Sequence, residues 1–188
     1  MIIEDFALNT PASNEPIRVP PPHPATLEDE ALLRQCETSR GRASGPGGQH
    51  RNKVETMVEL LHTPTGIEAH AGERRSVREN TPEAIWRLRL ALAVRVRTPV
   101  PDGDARSALW RTRCTPEGRI VCSPEHRDYP SLLAEAIDVI EACGLDVKKA
   151  ALRLECSPTQ LIRFIKDHPP AMVWLNATRA SAGLHALR

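Results

Sequence analysis

Two rhythms of apolar residues divide the chain. From Val54 to Leu61, Val58 and Leu60 alternate with Met57 and Glu59, the period of a strand with one face buried. His62-Thr63-Pro64-Thr65-Gly66 is a turn signal, since proline presets φ and glycine takes the awkward position. Ile67–Ala71 reads as the return strand, so 56–71 is predicted to be a hairpin. The period then changes. Thr81-Pro82-Glu83 looks like a capped helix start, and Ile85, Leu88 and Leu92 recur at helical spacing to about Val96. That face is expected against the hairpin. Upstream, an apolar run from Leu27 to Cys36 ends in a strand-like stretch near Leu33–Thr38.

Residues 98–106, with Pro99, Pro101 and Asp102-Gly103, read as a loop. Leu109–Cys114 and Arg119–Ser123 flank Pro116-Glu117-Gly118 and suggest a second hairpin. From Pro130 onward the pattern is helical. Leu132, Leu133, Ala136, Ile137 and Ile140 form one stripe, stopped by Gly144. Asp146 is placed to cap a second helix running to Leu154. Ser157-Pro158 opens a third, carrying Leu161, Phe164 and Ile165, which Pro169-Pro170 is expected to end. The second and third resemble a helix-turn-helix. The prediction is an α+β first domain (a small sheet with a packed helix) over 25–125, then an all-helical C-terminal domain over 126–188. Residues 1–24 hold six of the seventeen prolines and read as an N-terminal arm.

Composition narrows the function. No apolar run is long enough to span a membrane. The opening Met1-Ile2-Ile3-Glu4-Asp5 suits neither a secretory signal nor a mitochondrial presequence, so a cytoplasmic protein with no membrane partner is expected. Five scattered cysteines without a Cys-x-x-Cys pair give no zinc ribbon or disulfide framework, and no metal or cofactor is expected. Aromatics are 3%, too few for a base-stacking platform. Trp86, Trp110 and Trp174 are expected as core or interdomain anchors. The net charge of +1 hides an asymmetry: residues 1–33 sum to −5, 34–97 to +5 and 98–188 to +1. The middle third is the part suited to a polyanion.

That third contains Ser44-Gly45-Pro46-Gly47-Gly48-Gln49-His50-Arg51-Asn52-Lys53. Four glycines and a proline within Ser39–Gln49 exclude helix and central strand, so a long loop is predicted. The string resembles the GGQ domain of class I peptide chain release factors and of the related ribosome-rescue hydrolases. The likeness continues through Val54, Val58 and Leu60, through His62-Thr63-Pro64-Thr65-Gly66-Ile67, and through Glu73-Arg74-Arg75-Ser76 with Asn80. It covers roughly residues 33–97. A lone Gly-Gly-Gln arises by chance; the extended string with its downstream matches is specific. Two positions depart from the family, which usually has valine at Arg51 and glutamine at Val77. These touch docking rather than hydrolysis.

The resemblance implies ribosome-dependent hydrolysis of the ester between a peptide and transfer RNA, in the peptidyl-transferase centre of the large subunit. Gly47, Gly48 and Gln49 are the implied catalytic residues. Glycine permits close backbone approach, and the Gln49 N–H is a donor for charge developing on the carbonyl oxygen. Arg40, Arg42, Ser44, His50, Arg51, Asn52, Lys53, Arg74 and Arg75 are the implied contacts to ribosomal RNA. Arg78 is a lesser candidate. His50 is expected at phosphate rather than as a general base. Methylation of the Gln49 amide would make a glutamine methyltransferase a partner. Only about 40 residues precede the loop and they are proline-rich, so no codon-reading domain is expected and rescue is favoured over codon-directed termination. Residues 130–188 sum to +1, unlike a polybasic tail. Two other readings stand beside this one: a nucleic-acid-binding regulator using Gln160, Arg163 and Lys166 of the third helix, and a non-hydrolytic module that binds RNA or the ribosome.

Overall fold

The computed structural model describes residues 15–41 and 55–188. In chain order, β1 (Ile17–Arg18) and a 3-10 turn (Pro24–Thr26) precede α1 (Asp29–Leu33), β2 (Cys36–Gly41), β3 (Met57–His62), β4 (Ile67–Ala71), α2 (Val77–Arg95) and β5 (Val96–Arg97). Then follow α3 (Ala108–Arg113), α4 (Tyr129–Ala142), α5 (Val147–Arg153), α6 (Pro158–Lys166) and α7 (Pro169–Ser181). These elements divide into two compact units. Among the described residues, one comprises those within Leu27–Leu92; the other joins residues 15–26 with Ala93–Arg188.

In the first unit, β2, β3 and β4 form an antiparallel sheet in that order. Register pairs Val58 with Ala71 and His62 with Ile67, so the predicted hairpin forms over the predicted residues. Val58, Leu60, His62, Ile67 and Ala71 are buried, as are Ala84, Ile85, Leu88, Ala91 and Leu92 of α2. Burying one such aliphatic side chain contributes about 1.5–3 kcal/mol. Arg87 fixes the helix to the sheet by donating to the His70 carbonyl at 2.9 Å. His62 closes the turn between β3 and β4. Its Nε2–H donates to Gln35 Oε1 at 3.0 Å, and its Nδ1 accepts from Thr65 Oγ1 at 2.7 Å. Burial lowers its pKa, which favours this neutral form. Gly66 takes the positive φ of 68° that the turn needs.

Two expectations shift here. The strand near Leu33–Thr38 is β2, starting at Cys36, and the run before it forms α1. The helix start is Ser76, not Thr81. The Ser76 hydroxyl accepts from the Glu79 N–H at 3.2 Å, and donates to the Glu79 carboxylate at 2.7 Å. Thr81 and Pro82 lie within α2, where the Thr81 hydroxyl donates back to the Val77 carbonyl at 2.8 Å.

In the second unit, β1 pairs in parallel with β5, Ile17 opposite Val96. The proline-rich approach is packed in: His23 and Ala25 are buried, and His23 Nε2–H donates to the Val96 carbonyl at 3.1 Å. The centre is α4, whose buried stripe includes Leu132, Leu133, Ala136, Ile137 and Ile140. Gly144 ends it at φ 67°. Asp146 caps α5 and Ser157 caps α6, as their positions in the sequence predict. Two further expectations fail. Residues 109–113 are helical rather than a strand, because Ser107 caps α3 through the Trp110 N–H; only an isolated bridge, Cys114 to Ile120, remains of the second hairpin. Pro169-Pro170 opens α7 rather than closing the fold, and that helix buries Trp174 and Leu175. Trp110 is also in the core, donating to the Leu154 carbonyl at 2.9 Å.

Arg97 and Asp138 form an ion pair inside this unit, at 3.2 Å, with side-chain exposures of 1% and 5%. Burial pulls Arg97 down to about 10 and pushes Asp138 up, in each case against the pull of the opposite charge. Arg97 donates to the carbonyls of Ala93, Val94 and Val96, and lies 4.5 Å over the Trp174 ring. Thr98 donates its hydroxyl to Asp138 at 2.6 Å.

Candidate functional site

The last register pair of β2 and β3 is Gly41 opposite Met57. The chain between them carries Gly47, Gly48 and Gln49, with Arg42, Ser44, His50, Arg51, Asn52 and Lys53. These nine expectations lie outside the described residues. What the structure gives is the root from which that segment departs.

Three predicted contact residues stand at or near this root. Arg40 is opposite Val58, one pair before the end of the ladder, and is exposed. Arg74 and Arg75 are exposed in the connection between β4 and α2. None of the three makes an ion pair among the described residues, so their guanidinium groups face water.

Asn80 ties the connection to the root. It is fully buried on α2. Its amide donates to the Thr56 carbonyl at 2.6 Å and the Arg74 carbonyl at 3.1 Å, while its Oδ1 accepts from the Arg74 N–H at 2.9 Å. One side chain thus holds residue 56, where the segment rejoins the sheet, against residue 74. A buried amide satisfied by backbone on both sides fixes geometry, because each lost bond leaves a desolvated group. Arg87 braces the same connection through Glu73 at 2.8 Å. Burial would raise the Glu73 carboxyl, but the Arg87 hydrogen bond and two backbone N–H groups outweigh it and hold it below its usual value. The resemblance marks Asn80 only as a matching letter; Thr56 and Arg87 carry no signal in the sequence.

The other sheet face has the opposite character. Glu37, Glu59, Glu68 and His70 line a shallow groove there, with Ser39 donating to Glu59 at 2.7 Å. Among the described residues, no group of three His, Cys, Asp or Glu side chains is arranged to hold a metal ion, and no helix is long and apolar enough to cross a membrane.

Residues 32–109 match the RF-1 domain, a span that includes the sheet, the Gly47-Gly48-Gln49 segment and α2. Peptide chain release factor 1 of Xylella fastidiosa (strain 9a5c) is 34% identical over 134 residues, covering 65% of this chain and 36% of that protein. Peptide chain release factor 1 of Acidiphilium cryptum (strain JF-5) is 38% identical over 126 residues, covering 59% of this chain and 36% of that protein. The chain matches about a third of the length of these curated relatives. No solved structure matches it. Over residues 32–109 the chain is thus similar to the RF-1 domain, and over a wider span to part of class I peptide chain release factors.

Proposed function

We propose that this protein hydrolyses the ester of peptidyl-tRNA on the ribosome and releases the peptide without reading a stop codon. The observation that carries the reading is the RF-1 match over residues 32–109, with Gly47-Gly48-Gln49 inside it. The paired strands and the Asn80 clamp support it by holding both ends of that segment. In this reading Gly47 and Gly48 let the backbone come close to RNA. The Gln49 N–H donates to the carbonyl oxygen as negative charge develops on it, and the side chain leaves room for water alone. Water adds to the carbonyl carbon, the bond to the ribose oxygen breaks, and the proton passes to that oxygen. Positioning and electrostatics are the main terms. Arg40, Arg42, Ser44, His50, Arg51, Asn52, Lys53, Arg74 and Arg75 dock the segment on ribosomal RNA. A methyltransferase acting on the Gln49 amide belongs to the same reading.

Peptide release from purified ribosomes carrying peptidyl-tRNA tests this. Wild type is expected to release peptide on a message truncated at the P site. Gln49→Ala is expected to lower that rate by about a hundredfold or more. Release confined to ribosomes with a stop codon in the A site overturns the rescue reading.

A further inference from the structure

The second unit has its own unpaired cations. Arg106, Arg111, Arg113 and Arg127 face carboxylates, while Arg153 and Arg179 donate to backbone carbonyls. Arg119 and Arg163 have no side-chain partner among the described residues. Both line one cleft of about 120 Å³, together with Cys122, Gln160 and Asp167.

The fold builds this cleft from two sides. One side is α6, the later helix of the α5–α6 pair. The turn joining them passes through Glu155 at φ 51°, a left-handed residue where such turns commonly use glycine. The cleft's inner edge is Phe164, which packs against Tyr129 at 4.8 Å between ring centroids and against Trp110 at 6.3 Å. The Tyr129 hydroxyl donates to the Phe164 carbonyl at 2.9 Å, so α6 does not roll. The other side is the turn at Thr115–Arg119. Its Gly118 carbonyl accepts from the Ser157 N–H at 3.3 Å, and a Cβ at Gly118 would meet Cys156 backbone at 3.1 Å. Close approach of these two turns brings Arg119 to the cleft wall that faces Arg163.

We propose that Arg119, Gln160 and Arg163 form a contact site for the phosphate backbone of RNA, separate from the 42–54 segment. The proposal rests on the ribosome-directed reading for the choice of RNA. Its chemistry is that of two guanidinium forks and an amide, all donors that fit phosphate oxygens. The second helix of a helix-turn-helix is the one that meets nucleic acid. In A-form RNA the major groove is too deep and narrow for side chains to read, so phosphates are the groups within reach. Asp167 lies in the same cleft and opposes binding, which gives the site a built-in control.

The test is binding of a labelled RNA hairpin and of a DNA duplex of matching sequence to the full chain, across a salt series. Arg119→Gln with Arg163→Gln is expected to weaken RNA binding about tenfold and to flatten the salt dependence by about 1.5 in log–log slope. Asp167→Asn is expected to strengthen it about twofold. Thermal unfolding should stay unchanged in the double arginine variant, since neither side chain has a structural partner. RNA binding unchanged in that variant, or tighter binding of the DNA duplex than of RNA, overturns the site. Peptide release, measured in parallel, separates the two readings. If wild type releases no peptide while the double variant still loses RNA affinity, the hydrolase reading falls and the cleft stands. Intact release with unchanged RNA affinity removes the cleft alone.

Discussion

Arg40, Arg74 and Arg75 stand exposed around the root of the 42–54 segment without a carboxylate among the described residues, whereas Arg97, Arg106, Arg111 and Arg113 each face one. Counted along the sequence, all seven look alike. In the fold they do different work. Asp138, Asp104 and Asp128 neutralise the second set and turn it into part of the scaffold. The first set keeps its charge available to a polyanion.

The largest effect should come from breaking the buried pair. Arg97→Leu leaves Asp138 charged and desolvated, and chemical denaturation should show a loss of about 3–5 kcal/mol. Arg97→Met with Asp138→Leu should recover most of it, since burial works against both charges. A single variant as stable as wild type would mean that the buried pair adds nothing to the scaffold. Asn80→Ala comes next. It strands the Thr56 carbonyl and both Arg74 backbone groups, and should cost about 2–3 kcal/mol in the same measurement. Peptide release should fall further than the unfolded fraction accounts for, because the root loses its tie.

A smaller effect is set by pH. Burial lowers His168 to about 4 from its ordinary value of 6.5. The unfolded chain then binds the proton more readily between those values, so stability is full above pH 6.5 and declines as pH falls toward 4. Melting temperature followed over that window should fall less steeply in His168→Gln. An unchanged slope would place the titration elsewhere, with His62 the next group to replace. The smallest effect on stability belongs to Arg74→Gln with Arg75→Gln, within about 0.5 kcal/mol of wild type. Affinity for ribosomes should nonetheless drop about tenfold, and the salt dependence should flatten. Lost stability in this pair would erase the contrast between the two sets.

Legibility followed the density of local signals. The β3–β4 hairpin was readable because Pro64, Gly66 and the alternation of Val58 and Leu60 all agree. The caps at Asp146 and Ser157 and the stop at Gly144 were readable for the same reason. Leu109–Cys114 misled because six residues are too few to show a helical period, and the deciding signal was the Ser107 hydroxyl just before them. Pro169-Pro170 suits a helix start as well as a helix end, and only the burial of Trp174 decides between them. Thr81-Pro82 imitated a cap that Ser76 and Glu79 supply one turn earlier. At the candidate site, motif letters picked out Arg74, Arg75 and Asn80, but the bond from Asn80 to Thr56 joins residues 24 apart and leaves no local trace.

The parallel pairing of Ile17 with Val96 also bears on how the chain is made. About eighty residues separate the two strands, and at a synthesis rate of roughly 5–20 residues per second the first waits several seconds for the second. All of Leu27–Leu92 emerges in that interval and is free to fold on its own. The second unit can close only afterwards, which makes the earliest-made strand among the last to find its place.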